Sequence, residues 1–420
     1  MNLPPSSPTR RRLGLSAGAA LAGLWLGGCA QAPGAVDAAV AAPGFEPVLR
    51  GTGDLGLVIL RASGAVALVD TSQRSVLARV DGLGDLSHAS AVFSRDMRYA
   101  YVFGRDGGLS KIDLLTARVV RRVMQAGNSI GGAISADGRL VAAQNYQPGG
   151  VKVFDADTLA LRADIPATFT AADGTQRTSR VVGLADLPGQ RFAFSLFDAD
   201  ALWVADCSAL PAVRLQKFEG IGRSPYDGLV TPDGRHYIAG LFGEDGLALL
   251  DLWAPQPQVR RILAGYGRGQ APLPVYKMPH LRGWAVAGRK AYLPAVGRHE
   301  VLVVDTTTWQ EVGRIPVAGQ PVFVIARPDG RQVWVNFAVP DYHRVQVFDT
   351  VDEHLVTTLE PGKAVLHMEF TPRGEQVWIS SRDDDRVSIY DTRTLALLQR
   401  LTLPAPSGIF FTARAQRLGF

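Results

Sequence analysis

Apolar and polar residues alternate in short runs along nearly the whole chain, and Leu86 to Leu114 (LSHASAVFSRDMRYAYVFGRDGGLSKIDL) shows the pattern most plainly. It alternates, turns at Ser94-Arg95-Asp96, alternates again, and turns at Gly104-Arg105-Asp106-Gly107-Gly108, which predicts short antiparallel strands joined by tight turns. The same grammar recurs, each time ending in an apolar strand that finishes on aspartate: VALVD at Asp70, LSKID at Asp113, VKVFD at Asp155, LWVAD at Asp206, LALLD at Asp251, VLVVD at Asp305, VQVFD at Asp349 and VSIYD at Asp391. Eight copies at a period of roughly 40 to 55 residues, with four strand candidates in each and no convincing helix between them, predict an all-β, eight-bladed β-propeller. A propeller left open exposes a strand edge. The terminal GIFFTARAQRLGF contains an apolar strand able to pair with Gly56 to Leu60, so the C-terminal strand is expected to close the ring.

Residues 1–28 break this pattern. A basic TRRRLGL precedes the short apolar run LSAGAALAGLWL and Leu26-Gly27-Gly28-Cys29, the layout of a signal peptide whose run is too short to span a membrane. Thr9 followed by Arg10 and Arg11 resembles a twin-arginine signal, with general secretion as the alternative. Small residues ahead of Cys29 resemble a lipobox, so Cys29 is the lipidation candidate and residues 29–47, rich in Ala, Pro and Gly, read as a flexible tether. The expectation is a periplasmic, membrane-anchored lipoprotein with a propeller over residues 48–420.

The formal charge of +5 falls to about +2 once Arg10, Arg11 and Arg12 are lost (41 basic against 39 acidic residues), so the basic character is no argument for nucleic acid. The only cysteines are Cys29 and Cys207, which excludes a CxxCH attachment for covalent c-type heme and a zinc framework. Cys207 reads as a small buried hydrophobe. Gly51-Thr52-Gly53-Asp54-Leu55-Gly56 matches GxGxxG, but a strand rather than a helix N-terminus follows it, so no nucleotide is expected.

His88 stands just ahead of an inner strand, where either a structural histidine or a ligand fits. Ala126 to Gly132 (AGNSIGG) and Asn145 to Gly150 (NYQPGG) place Asn128 and Tyr146 where other copies have plain turns; turn chemistry and a ligand-lined channel mouth both account for this. Two insertions, PATFTAADGTQRTSRVVGL and PLPVYKMPHLRGW, are long loops of the kind that carry binding residues, and His280 lies in the second. His236, His299, His343 and His354 fall in turn-like positions and read as solvated, while His367 is a weaker channel candidate.

Taken together, SHASAVFSRDMRYAYVFGRDGGLSKIDLLT, AGNSIGGAIS, NYQPGG, SPYDG, YKMPHLRGW and HMEFTPRGEQVWIS resemble the NirF family of heme d1 biogenesis proteins and, through it, the eight-bladed d1-binding domain of cytochrome cd1 nitrite reductase. The resemblance covers essentially residues 44–420. It implies that His88 is the proximal ligand of a heme iron, because a histidine ahead of a similar segment plays that part in the reductase. Of the two distal histidines of the reductase, one position is matched by His280 and the other is replaced by Tyr226. A tyrosine with a pKa near roughly 10 is a poor acid at neutral pH, so nitrite reduction is not expected. Without a c-type heme the chain also differs from the related dehydrogenase NirN. Arg95 and Arg105 in the His88 segment, with Arg223 and Arg282 beside the distal positions, are candidates to bind the ligand's carboxylates.

Two functions follow from the resemblance. One is a late-step enzyme of heme d1 maturation with His280 and Tyr226 as an acid/base pair and His88 on the iron. The other is a non-catalytic carrier that takes heme d1, or its dihydro or earlier precursor form, to NirN and the reductase as protein partners. A propeller scaffold without any tetrapyrrole is the bland alternative.

Overall fold

In the computed structural model, residues 50–266, 283–295 and 298–417 are described. The expected signal peptide, Cys29, the tether, His280 and Arg282 lie outside the described residues. The chain forms eight four-stranded antiparallel sheets, and the only other described sheet is a two-stranded hairpin. The predicted eight-bladed propeller is therefore the observed fold. The blades are numbered I to VIII here, starting from the sheet that holds Leu55–Leu60.

The inner strands are Pro406–Phe411, Ser90–Phe93, Asn128–Ile134, Val181–Leu187, Pro225–Val230, Ala285–Ala287, Pro321–Ala326 and Val365–Phe370, for blades I to VIII in that order. Inner strands of neighbouring blades touch one another and line the axis. Middle strands are covered on both faces by adjacent blades, so Leu55–Leu60 and Ala65–Asp70 are buried at every position and read as continuous apolar runs. Outer strands such as Arg118–Met124 lie at the rim and are only partly covered. Their arginines discourage edge-to-edge pairing with another chain.

The recurring aspartate has a local cause. In all eight blades one carboxylate oxygen accepts a backbone N–H two or three residues further on: Gln73 for Asp70, Leu115 for Asp113, Thr158 for Asp155, Ser208 for Asp206, Trp253 for Asp251, Thr307 for Asp305, Val351 for Asp349 and Arg393 for Asp391. Each is an Asx-type turn that reverses the chain into the outer strand. The GxGxxG segment is an opening turn: Leu55 N–H bonds to Thr52 O at 3.1 Å and a strand follows at once. The first long insertion carries a small hairpin, Thr168–Thr170 paired with Gln176–Thr178. The YKMPHLRGW insertion falls largely outside the described residues.

Blade I is completed by the C-terminal strand, with Gly56 opposite Phe411, Leu57 opposite Phe410 and Val58 opposite Ile409. Phe411 is fully buried, its ring 5.5 Å from that of Trp378 in blade VIII. Beyond it the short helix Thr412–Gln416 is tied back by the Thr412 hydroxyl, which lies 2.7 Å from Thr52 O. Phe411→Ala removes this buried ring from the closing strand and is expected to cost about 3–5 kcal/mol of stability, read from urea unfolding curves. An unfolding midpoint equal to that of the parent would show that closure does not depend on this contact.

Candidate functional site

One end of the axis, called the mouth here, bears the starts of the inner strands and the loops between second and third strands. His88 reaches it because Leu83 and Leu86, both buried, anchor the segment 81–89 in the core and leave His88 exposed two residues before Ser90–Phe93. Asp85 fixes the turn by accepting Ser87 N–H at 2.8 Å, and its own carbonyl accepts Arg105 N–H at 2.7 Å. The Arg105 loop is thereby fastened to the His88 segment.

From Arg105 the contacts run across the mouth. Its guanidinium lies 5.5 Å from the centre of the Tyr146 ring, and the Tyr146 hydroxyl meets the Tyr226 hydroxyl at 3.1 Å. Tyr226 packs edge-on against Phe197 at 6.1 Å and beside Phe242 at 6.5 Å, and Arg180 stacks on Phe197 at 4.2 Å while binding Asp198 through two nitrogens. Two glycine-bearing motifs make this geometry. A Cβ on Gly150 would lie 2.5 Å from Ile165 O, so the NYQPGG loop can fold down behind Tyr146 only with glycine there. A Cβ on Gly228 would lie 2.3 Å from the Tyr237 hydroxyl, and a bulge between Tyr226 and Gly228, with Asp227 at positive φ, re-aims Tyr226.

Burial raises the pKa of Tyr146, against the opposing pull of its Tyr226 bond and of Arg105. Burial also drives the Tyr226 pKa far up, helped by the neighbouring Tyr146 and Asp227. Both phenols are therefore neutral at ordinary pH and act as hydrogen-bonding groups, and Tyr226 is a weaker acid than a free tyrosine. Asn128 begins the blade III inner strand opposite Gln147, and its buried Oδ1 has no hydrogen-bond partner among the described residues. A mouth lined by aromatic rings, neutral phenols and arginines is suited to a flat, acidic ligand.

Of the residues picked out in the sequence, His88, Arg105, Asn128, Tyr146 and Tyr226 belong to this mouth. Arg223 stands three residues before Tyr226, but its backbone and guanidinium face Glu244, at 2.9 and 3.6 Å. Arg95 does not belong to the group. The strand Ser90–Phe93 carries the chain about 13 Å away from the mouth. There Arg95 donates to Ile134 O, Ser135 O and Ala415 O and pairs with the fully buried Asp186 at 3.1 Å, so it is a fastening of the far end of the axis. Phe197, Phe242 and Arg180 escaped the sequence reading. A signal existed in SLFDAD and GLFGED, where a phenylalanine follows the second strand in two successive blades.

His236 is not a solvated turn residue as its position suggested. It starts the strand His236–Leu241, its ring lies 5.5 Å from Trp309, and burial lowers its pKa. Cys207 is fully buried and burial pushes its thiol pKa up to about 11, which leaves it inert. No group of three or more His, Cys, Asp or Glu side chains with metal-binding geometry occurs among the described residues.

This propeller with an aromatic and cationic mouth belongs to the cytochrome D1 heme domain family, which matches residues 50–415. Within that class the chain is 62% identical over 371 residues to Protein NirF of Stutzerimonas stutzeri, covering 88% of this chain and 94% of the relative. It is 60% identical over 374 residues to Protein NirF of Pseudomonas aeruginosa, covering 89% and 95%. The solved structure of the dihydro-heme d1 dehydrogenase NirN in complex with DHE shares the fold, with a TM-score of 0.76 at 24% identity over 89% of this chain and 78% of that one. The likeness to NirF read from the sequence motifs is thus borne out over most of the chain.

Deeper in the channel, His367 is enclosed by Phe410 at 5.4 Å and Phe323 at 6.2 Å, and its Nδ1 accepts Ile409 N–H at 3.2 Å. Burial, reinforced by Arg414 and opposed by Glu369, lowers its pKa to about 4. The unfolded chain then binds a proton that the folded chain refuses between about pH 4 and roughly 6.5, so this residue's contribution to stability is complete above that window and is lost as pH falls through it. His367→Gln keeps a neutral acceptor and is expected to flatten the stability curve between pH 4.5 and 7 by up to about 3 kcal/mol relative to the parent. Parallel curves for parent and variant in urea unfolding would refute the assignment.

Proposed function

We propose that this protein binds a heme d1 precursor at the channel mouth and acts in a late step of heme d1 maturation for nitrite reductase. The observation that carries the reading is the connected set Arg105, Tyr146 and Tyr226, with the Arg105 backbone fastened to the segment that bears the exposed His88, in a chain of the d1 heme domain family. A macrocycle supplies four nitrogen ligands to its iron, so one imidazole completes a site where no multi-residue metal cluster is needed. On this reading His88 holds the iron, Arg105 binds a carboxylate, the aromatic side chains pack against the ring, and Asn128, Tyr146 and Tyr226 hydrogen-bond its substituents. His280 and Arg282 are further candidates for the opposite face.

A second reading, the carrier that passes the tetrapyrrole to NirN and the reductase, is favoured by one feature: burial keeps Tyr226 neutral and makes it a poor proton donor. Incubating the pure protein with isolated precursor separates the two. A new product mass under turnover supports the enzyme, and a stable one-to-one complex of unchanged mass supports the carrier.

His88→Ala is expected to shift the visible spectrum of bound heme d1 and weaken its retention, whereas His354→Ala, at an exposed site paired with Asp352, changes neither. An unchanged spectrum in the His88 variant would overturn iron ligation by His88. The export layout and lipobox of residues 1–29 support a periplasmic lipoprotein held at a membrane. Cys29→Ser is expected to move the exported protein into the soluble fraction, and continued membrane retention of that variant would refute the anchor.

A further inference from the structure

The insertion between blades III and IV carries the one described sheet that belongs to no blade, the ribbon Thr168–Thr170 paired with Gln176–Thr178. It stands at the mouth end, just ahead of the blade IV inner strand Val181–Leu187. Every residue in its two strands except Phe169 is exposed. A two-stranded ribbon without a core of its own is marginal in water, and here Thr168, Thr170 and Thr178 are strand-forming side chains that bury nothing.

The ladder leaves this ribbon with usable edges. Ala171 N–H bonds to Thr175 O at 2.8 Å, and Ser179 N–H bonds to Ala167 O at 2.9 Å. Bonded and non-bonded pairs alternate in an antiparallel ladder, so the pairs Thr168–Thr178 and Thr170–Gln176 turn their N–H and C=O groups outward. Thr170 and Thr178 both line a cleft of about 490 Å³ between the ribbon and the blade IV loop Asp198-Ala199-Asp200. Phe169, Ala171 and Ala199 give the cleft half-buried apolar walls.

The charges in the cleft differ in their partners. Arg177 is held by Asp173 at 2.5 Å and Asp198 by Arg180 at 2.5 Å. Asp200 accepts Ser224 N–H at 2.7 Å and forms no ion pair among the described residues. The charge without a counter-ion is therefore negative. The same elements hold the mouth: Ser179 O accepts Gly150 N–H at 3.3 Å in the loop behind Tyr146, Ser179 Oγ accepts Asp198 N–H at 2.9 Å, and Ser224 stands two residues before Tyr226.

An unpaired strand edge takes up an extended chain, with backbone bonds supplying affinity and side chains supplying selectivity. We propose that this cleft docks an extended, cationic segment of a partner protein, which adds to the ribbon as a third strand and sets an arginine or lysine against Asp200. An occupant there touches the elements that fix Tyr146 and Tyr226, on the side from which a protein exchanging a ligand with the mouth approaches. The inference goes beyond the tetrapyrrole reading, and docking does not require it.

The test titrates the mature full-length chain into a fluorescent, capped peptide of alternating valine and threonine with one central arginine, and into the same peptide with glutamine or glutamate in place of the arginine. Fluorescence polarisation is expected to give a dissociation constant below about 1 mM for the arginine peptide, roughly tenfold weaker binding of the glutamine peptide and still weaker binding of the glutamate peptide. Asp200→Asn, which keeps an acceptor for Ser224, is expected to bring the arginine peptide to the level of the glutamine peptide. Thr170→Pro, which removes an outward N–H and spares the ribbon's own ladder, is expected to weaken both. Equal affinity for the three peptides, no binding of the arginine peptide at millimolar concentration, or an arginine-peptide affinity unchanged by either substitution would overturn the docking site. Failure of the parent to bind heme d1 while these peptide results hold would overturn the tetrapyrrole reading and leave the docking site standing.

Discussion

Everything at the mouth depends on the pairing of the last strand with the first. A propeller blade is half buried only because a neighbour stands on each side, and a ring has no complete neighbours until it closes. Pro406–Phe411 supplies the inner strand of blade I, and the paired residues Gly56 and Phe411 are 355 positions apart along the chain. The closure places Ala405 under Arg61 and brings Trp378 of blade VIII against Phe411. The same joint that completes the core thus positions a side of the rim.

The far end of the axis is held by charge rather than by strand pairing. Arg95 spends its guanidinium on blade III carbonyls, on the C-terminal helix and on buried Asp186 of blade IV, and Arg414 in that helix binds Glu369 of blade VIII through two nitrogens. Removing one partner of such a pair leaves an uncompensated buried charge, which is more damaging than replacing both. With one end fastened in this way, variation is confined to the mouth. There the loops between second and third strands differ from blade to blade while the aspartate turns remain the same.

The two tyrosines show how the fold sets chemistry. Tyr146 comes from blade III and Tyr226 from blade V, and their hydroxyls meet because the intervening blade presents Phe197 beneath the contact. That burial keeps both phenols neutral and leaves them as hydrogen-bonding groups. The cationic groups around it are of two kinds, some paired with carboxylates of their own and one, Arg105, stacked on a ring with no carboxylate ion pair among the described residues, and this difference is invisible in the residue types alone.

The sequence by itself determined the class of fold, the number of blades and the closure, because each rests on local alternation and on an aspartate that makes its own turn within three residues. Tyr146 and Tyr226, which the structure brings together, stood out through motifs whose glycines answer to close backbone approach, as at Gly150 and Gly228. Arg95 misled because adjacency in a motif is not adjacency in space: four strand residues separate it from His88 and deliver it to the opposite end of the axis. His236 misled because its burial is supplied by Trp309, 73 residues later in another blade. Which arginines are paired, which tyrosines meet and which phenylalanines wall them were decided only by the tertiary structure, because each depends on the rotation of one blade against another, a contact that the local pattern of the chain does not encode.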